Sequence, residues 1–348
     1  QIQFQPRETL PWLASVEAAT GEIRAELDAL RAEPDLFHPY VEARADRRRA
    51  NGLRQDESVK LTDDQGSIGP SPFERVLVPA TPGVAMSIER PTPPQMTRRL
   101  VVLAATIFAI VIGQTQVLLQ WGQSPAEFAA DSDASLKVAG YAFAIWAVIY
   151  LWLVVYAVRQ ALPRTGESGL IQRLGWPSVA ALVGIGWWVV AAAFDWEVAT
   201  IVLIFGSLTV LLVPLLASAG TIRALPRSDR DRWMTVWPLT MLAGWLTIAA
   251  PLNLITVATG NGWLPDVLSP TGWAILAIAM VTAMALGVTQ RLRTLAYGLP
   301  IAWGLLGAFV AEQARNPMLA YVALAGAGTV LVGAVLLTLR PGVRSSPA

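Results

Sequence analysis

The stretch Met96-Thr97-Arg98-Arg99-Leu100-Val101-Val102-Leu103-Ala104-Ala105-Thr106-Ile107-Phe108-Ala109-Ile110-Val111-Ile112-Gly113 sets two arginines directly ahead of an apolar run, and seven more apolar runs follow it. The eight cover approximately residues 100–120, 137–160, 176–194, 198–219, 234–258, 271–290, 294–311 and 317–339. A helix crossing a hydrocarbon core of about 30 Å needs about 20 apolar residues, because each adds about 1.5 Å. The pattern predicts an all-α integral membrane protein, an eight-helix transmembrane bundle.

The charges between the runs alternate. Arg98 and Arg99 precede the first. Arg159, Arg164 and Arg173 fall between the second and third, and Arg223, Arg227, Arg230 and Arg232 between the fourth and fifth. Arg291 and Arg293 separate the sixth from the seventh, and Arg340 and Arg344 follow the eighth. The remaining gaps hold only Lys137 and Arg315 as basic residues, beside several carboxylates. Basic loops are retained in the cytoplasm, whereas acidic ones contribute little to orientation. Both ends of the membrane domain are therefore expected to be cytoplasmic, in a multi-pass membrane protein. No run has Asp, Glu, Lys, Arg or His in its interior. Pumps and ion-coupled transporters usually hold an ionisable group at that depth, so this sequence offers them no candidate.

The chain is 54% hydrophobic, but that average joins two unlike pieces. Residues 1–95 are rich in charge, and residues 96–348 carry the apolar runs. The absence of cysteine excludes disulfides, thiolate metal sites and thiol redox motifs. A net charge of +1 gives no argument for nucleic acid. We divide the chain into residues 1–43, a short helical segment; 44–95, a Pro-rich linker without regular structure; and 96–348, the transmembrane domain. Ninety-five residues ahead of Met96 argue against a signal peptide, although Met96 followed by Arg98 and Arg99 reads like a genuine start.

In the first segment, Trp12, Val16, Ala19, Ile23, Leu27 and Leu30 recur at helical intervals. From Phe4 to Val41 the order Phe4-x-x-Arg7, Pro11-Trp12-Leu13, Ile23-Arg24-Ala25-Glu26-Leu27 and Pro39-Tyr40-Val41 resembles the opening of the aspartyl/asparaginyl β-hydroxylase domain. The resemblance is to a truncated form. That family holds iron with two histidines and a carboxylate, and His38 is the single histidine here. An iron dioxygenase is excluded on ligand count, and His38 reads as a turn residue.

Thirteen of the fourteen tryptophans lie between residues 121 and 303. Trp121, Trp176, Trp196, Trp233, Trp263 and Trp273 sit at span ends, where an amphipathic ring suits the membrane interface. Trp146, Trp187, Trp188, Trp245 and Trp303 fall inside spans. An indole N–H in hydrocarbon requires a partner, so these rings either pack in the bundle or line a cavity. Trp245, Ala249 and Asn253 recur four apart and form one ridge, the expected bundle-facing seam.

Phe143-Ala144-Ile145-Trp146-Ala147-Val148-Ile149-Tyr150, followed by Leu151-Trp152, resembles the Phe-x-x-Trp-x-x-x-Tyr helix of the tryptophan-rich sensory protein family, which includes TspO and the mitochondrial translocator protein. Gly244-Trp245-Leu246-Thr247-Ile248-Ala249-Ala250-Pro251-Leu252-Asn253, with Asn261 beyond it, resembles that family's last helix, and Gly186-Trp187 is a looser echo. The resemblance covers about residues 100–262. It implies a TspO-like five-helix part plus three helices without counterpart, as in long bacterial relatives, and with that a place in a bacterial inner membrane. The family's Trp-x-Pro-Pro segment is absent, and Gln123-Ser124-Pro125-Ala126-Glu127 stands in its place.

The resemblance implies a membrane sensor or binding protein for a flat hydrophobic ligand such as a porphyrin. The candidate ligand-binding residues are Phe143, Trp146, Tyr150, Trp187, Trp245 and Asn253; none is catalytic and none is a metal ligand. With no His or Cys in the membrane domain, axial haem ligation would fall to Met or Tyr, so stacking on a metal-free ring fits better. No resident cofactor and no enzymatic activity are expected. The expected partners are the lipid bilayer, the hydrophobic small molecule and a second copy of the chain as a homodimer. The alternative function is a transporter or flippase for a neutral or lipid-like solute, although no inverted repeat is visible.

Overall fold

The computed structural model describes residues 92–130, 134, 136–162 and 167–339, all within a unit bounded by Val84–Ala348. The hydroxylase-like segment at 4–41, His38 and most of the 44–95 linker lie outside the described residues.

Among the described residues, eight helices are long and apolar enough to cross a membrane. They are α1 (Pro93–Leu119), α2 (Ile145–Ala161), α3 (Gly169–Ala193), α4 (Glu197–Ala217), α5 (Trp237–Gly260), α6 (Pro270–Leu292), α7 (Leu295–Glu312) and α8 (Pro317–Leu339). A 3-10 turn, Gly140–Ala144, leads into α2, and a π turn, Arg232–Val236, leads into α5. Two short helices, Pro125–Ala130 and Ala219–Ala224, lie between spans. The chain is a multi-pass all-α membrane bundle, as its apolar runs indicate.

Local chemistry sets the helix ends. Pro93 opens α1 behind a capping box in which the Thr92 N–H donates to Gln95 Oε1 at 2.7 Å. The Ser168 hydroxyl accepts from the Ile171 N–H at 3.1 Å, so α3 starts at Gly169 and takes in Pro177. That start is a full two turns earlier than the apolar run suggests. Ser269 caps α6 in the same way, with Pro270 next. Between α3 and α4, Asp195 adopts a left-handed φ of 56°. The Trp196 N–H reaches the Ala191 carbonyl and the Asp195 N–H the Ala192 carbonyl, the paired bonds of a Schellman stop. The tight hairpin expected around Asp195–Glu197 is formed this way.

The helices close into two rings. The first runs α1-α2-α5-α4-α3, each helix packing on the next and α3 returning to α1. The second runs α5-α7-α8-α6 and returns to α5. Helix α5 belongs to both. Its spanning window is 83% buried, against 22% to 61% for the other seven. A helix enclosed on every side needs no polar face, so Thr240, Thr247, Asn253 and Thr256 are all buried although they do not share one face.

Two close approaches fix the rings. A Cβ at Gly244 would strike the Tyr297 carbonyl, so α5 and α7 meet backbone to backbone there. Beside it, the Thr247 and Tyr297 hydroxyls are 2.7 Å apart. A Cβ at Gly186 would strike the Phe108 ring, which seats α3 on α1.

The arginine-rich end is more structured than a row of loop anchors. Arg98 and Arg99 do not precede the first helix; they sit in its second turn and are 5% and 0% exposed. Glu167 pairs with both, at 2.7 Å to Arg99 Nη2. Arg159 pairs with Asp231 and donates to Thr235 Oγ1 at 2.9 Å, joining α2 to the entry of α5.

Candidate functional site

At the end of the bundle opposite these arginines, α3, α5 and α7 border an apolar cavity of about 30 Å³. Trp245, Ala249 and Asn253 line it, so the expected seam of α5 does face the bundle interior. Trp188 contributes from α3, Phe143 from the 3-10 turn, and Gly304 from α7. Pro125, Phe128 and Ala129 of the short helix cover it, together with Val138. The segment that replaces the Trp-x-Pro-Pro loop thus builds the roof. A further space of about 20 Å³, walled by Phe143, Trp146, Ile185, Trp188 and Trp245 among others, continues from it toward the arginine-rich end.

The rings meet edge to face. Trp245 receives Phe143 at a centroid distance of 6.1 Å and 82°, and Trp146 at 6.3 Å and 81°. Phe128 meets Trp188 at 6.2 Å and 85°. Such T-shaped pairs set the negative face of one ring against the positive edge of another.

A hydrogen-bond chain holds the polar side. The Trp188 indole N–H donates to Asn253 Oδ1 at 3.0 Å, and Asn253 Nδ2 donates to Thr200 Oγ1 at 2.9 Å. The Thr200 hydroxyl in turn donates to the Glu197 carbonyl at 2.6 Å. This ties α3, α4 and α5 together and orients Trp188. Among the described residues, Asn253 is the only side chain apart from the indoles that brings a polar group to the first cavity.

The roof is fastened at several points. The Ala139 N–H donates to the Gly307 carbonyl at 3.1 Å. The Lys137 N–H donates to Glu312 Oε1 at 2.8 Å, and the same oxygen accepts from Arg315 at 3.0 Å. Glu312 is 1% exposed, an ionisable group at the end turn of α7 that hydropathy alone had assigned to a loop. The Trp303 N–H donates to the Ala142 carbonyl at 2.8 Å. On the roof helix, Glu127 and Ser124 form a reciprocal cap, with the Ser124 N–H 2.6 Å from the carboxylate and the Glu127 N–H 3.2 Å from the hydroxyl. The Ser124 backbone bond, then its hydroxyl, hold the Glu127 carboxyl below its ordinary range.

Of the six residues singled out from sequence, Phe143, Trp146, Trp245 and Asn253 line this pair of spaces. Tyr150 stands one shell back, with its ring 5.2 Å from Trp146 and its hydroxyl donating to the Ala109 carbonyl at 3.4 Å. Trp187 is 49% exposed and packs on Phe108 outside the ring. Its neighbour Trp188 takes the inward place, because adjacent helical residues are turned about 100° apart. Trp303 is also half-exposed, 36%, rather than inside the bundle. Sequence reasoning placed Trp188 inside a span, facing the bundle or a cavity, but left it out of the ligand-binding set, and it missed Phe128 altogether. A signal existed for Trp188: Ala181, Ile185, Trp188 and Ala192 share one buried face of α3, whereas Trp176, Val183 and Trp187 recur on the exposed face.

Comparison with known proteins gives one family. The TSPO-like protein family matches residues 99–336, which takes in all eight helices. The last three helices, expected from sequence to lack a counterpart, fall inside that match. No curated protein and no solved structure matches the chain.

Proposed function

The chain belongs to the TSPO-like protein family, and from that premise we propose that it binds a flat hydrophobic molecule, such as a metal-free porphyrin, against the aromatic walls between α2, α3 and α5. The observation that carries this reading is the box of Phe143, Trp146, Trp188 and Trp245 around an almost wholly apolar space. A π-surfaced ligand can stack on indole faces there, and the Asn253 amide is already engaged in orienting Trp188. The role is binding without turnover, in a bacterial inner membrane with both chain ends cytoplasmic.

Small-molecule sites usually measure roughly 300–1,000 Å³, and the closed cavity is about 30 Å³. Entry of a macrocycle therefore requires the roof helix Pro125–Ala130 to part from Trp188. Binding is measured by titrating the purified protein with protoporphyrin IX and following the Soret band. A saturable shift is expected, weakened by Trp245→Ala and by Trp146→Ala. Absence of any saturable change removes this reading.

A further inference from the structure

Between α4 and α5 the chain forms a basic lobe at the arginine-rich end of the bundle. Residues 218–236 carry Arg223, Arg227, Arg230 and Arg232 against Asp229 and Asp231. Asp231 is already paired with Arg159 of α2. Among the described residues Asp229 forms no ion pair, and its Oδ1 accepts from the Asp231 N–H at 2.7 Å. Four guanidinium groups thus face one unpaired carboxylate. The charge of Arg227 repels that of Arg232 more strongly than Asp229 attracts it.

Hydrogen bonds give the lobe a fixed shape. Arg232 Nη2 donates to the Leu225 carbonyl at 2.7 Å and the Ile222 carbonyl at 3.2 Å, and its Nε to the Pro226 carbonyl at 3.2 Å. These bonds end the short helix Ala219–Ala224 and wrap the next turn around the guanidinium. Carbonyl dipoles satisfy its hydrogens but do not cancel its charge. Its Nη1 has no hydrogen-bond partner among the described residues. The Trp233 indole N–H donates to the Arg227 carbonyl at 2.8 Å, and the Arg230 carbonyl accepts from Arg159 Nη1 at 3.2 Å. Both backbones are anchored, while the Arg227 and Arg230 side chains stay exposed. Trp233 is 40% exposed and packs on Trp237, centroids 4.6 Å apart, where α5 enters its apolar span. Arginines beside a tryptophan at the start of a span stand at the depth of phospholipid headgroups.

We propose that this lobe holds the headgroup phosphate of an anionic phospholipid, with Arg227, Arg230 and the Nη1 edge of Arg232 around it and an acyl chain against Trp233. A planar guanidinium fork matches two phosphate oxygens at once, which suits arginine to this role. A free phosphate ion would meet the same arginines but gain nothing from Trp233. The lobe is separate from the aromatic cavity, and the inference stands independently of what that cavity binds.

Native mass spectrometry of the full chain, titrated in micelles with phosphatidylglycerol or phosphatidylcholine, counts the lipids retained. Wild type is expected to retain the first phosphatidylglycerol in clear preference to phosphatidylcholine. An arginine at a membrane surface contributes about fivefold, so Arg227→Gln and Arg230→Gln are each expected to lower that preference about fivefold. Both side chains are exposed, so the replacements leave the packing intact. Arg173→Gln is the control: Arg173 is an exposed arginine at the same end, on α3, one turn from the exposed Trp176. It is expected to leave the preference unchanged. An equal loss in Arg173→Gln would mean a diffuse basic field and overturn the site, as would absence of any preference in wild type. Displacement of the lipid by millimolar inorganic phosphate would assign the arginines to a free anion and overturn the lipid.

Discussion

The Trp188 indole N–H and the Asn253 side-chain oxygen are 3.0 Å apart, and both residues are buried. Replacing Asn253 with leucine leaves the Trp188 donor and the Thr200 hydroxyl without that partner. Interhelical bonds of this kind average about 0.6 kcal/mol in membranes, and an orphaned buried donor costs about 1–3 kcal/mol. Asn253→Leu is expected to destabilise by about 1 kcal/mol, at the overlap of those ranges. Unfolding in mixed micelles reads it. Combining Asn253→Leu with Trp188→Phe should recover part of the loss, and strict additivity would show that the pair does not interact.

At Gly244 the obstacle to a side chain is the Tyr297 backbone rather than a movable side-chain tip. Gly244→Ala must push α5 from α7, at a cost of about 1–3 kcal/mol by analogy with overpacked cores. Gly287, with open space around its Cβ position, is the control. Gly287→Ala should be neutral or stabilising by about 0.5–1 kcal/mol through backbone entropy alone. Equal melting shifts for the two variants would contradict the α5–α7 contact.

Glu167 is the carboxylate that Arg98 and Arg99 share, with Arg99 fully buried. Glu167→Gln keeps the shape but removes the carboxylate charge that the two guanidinium groups share at the arginine-rich end. Loss of one partner from a buried ion cluster costs about 3–5 kcal/mol. A large fall in thermal stability is expected, with partial rescue when Arg98→Met is added.

The roof helix carries a pH dependence of known sign. Its Glu127 carboxyl is held below the ordinary value of 4.5 by the Ser124 N–H and hydroxyl. A carboxyl lowered in the folded state contributes stability above its unfolded pKa and loses it as the pH falls through the folded one. The helix Pro125–Ala130 should therefore be fully capped above pH 4.5 and loosen below it. Amide exchange of Phe128 and Ala129 measures this. In Glu127→Gln the dependence should vanish.

With both chain ends cytoplasmic, as we propose from the alternating arginines, reporters at Gly260 and at Ala348 are expected on opposite sides of the membrane, with Gly260 outside. Alkaline phosphatase and fluorescent-protein fusions at those positions test it, and like signals at both would refute the orientation.

The number and approximate limits of the spans were legible because length and hydropathy are local properties. The central place of α5 was not legible, although a trace of it was present. Its polar residues Thr240, Thr247, Asn253 and Thr256 look scattered until the helix is enclosed on all sides. Phase was the weakest inference. Trp187 and Trp188 are adjacent, and which one turns inward depends on Gly186 meeting Phe108 of α1, a contact between distant segments. The charges misled in a similar way. Arg98, Arg99 and Glu312 read as loop residues, yet helix caps and ion pairing draw them into the ends of α1 and α7.

Because α5 is shared, the order of synthesis matters to the finished molecule. A chain emerging from its amino terminus can complete the α1-α2-α5-α4-α3 ring while α6, α7 and α8 are still being made. During that interval the Gly244 strip and Thr247 of α5 face acyl chains. The Thr247 hydroxyl can wait there, since it also donates to its own helix at the Ala243 carbonyl, 2.8 Å away. The later helices then assemble on a wall that already exists, and the roof acquires its α7 fastenings last. A nascent protein halted after α5 would hold an open aromatic pocket, and completion of translation would be the event that closes it.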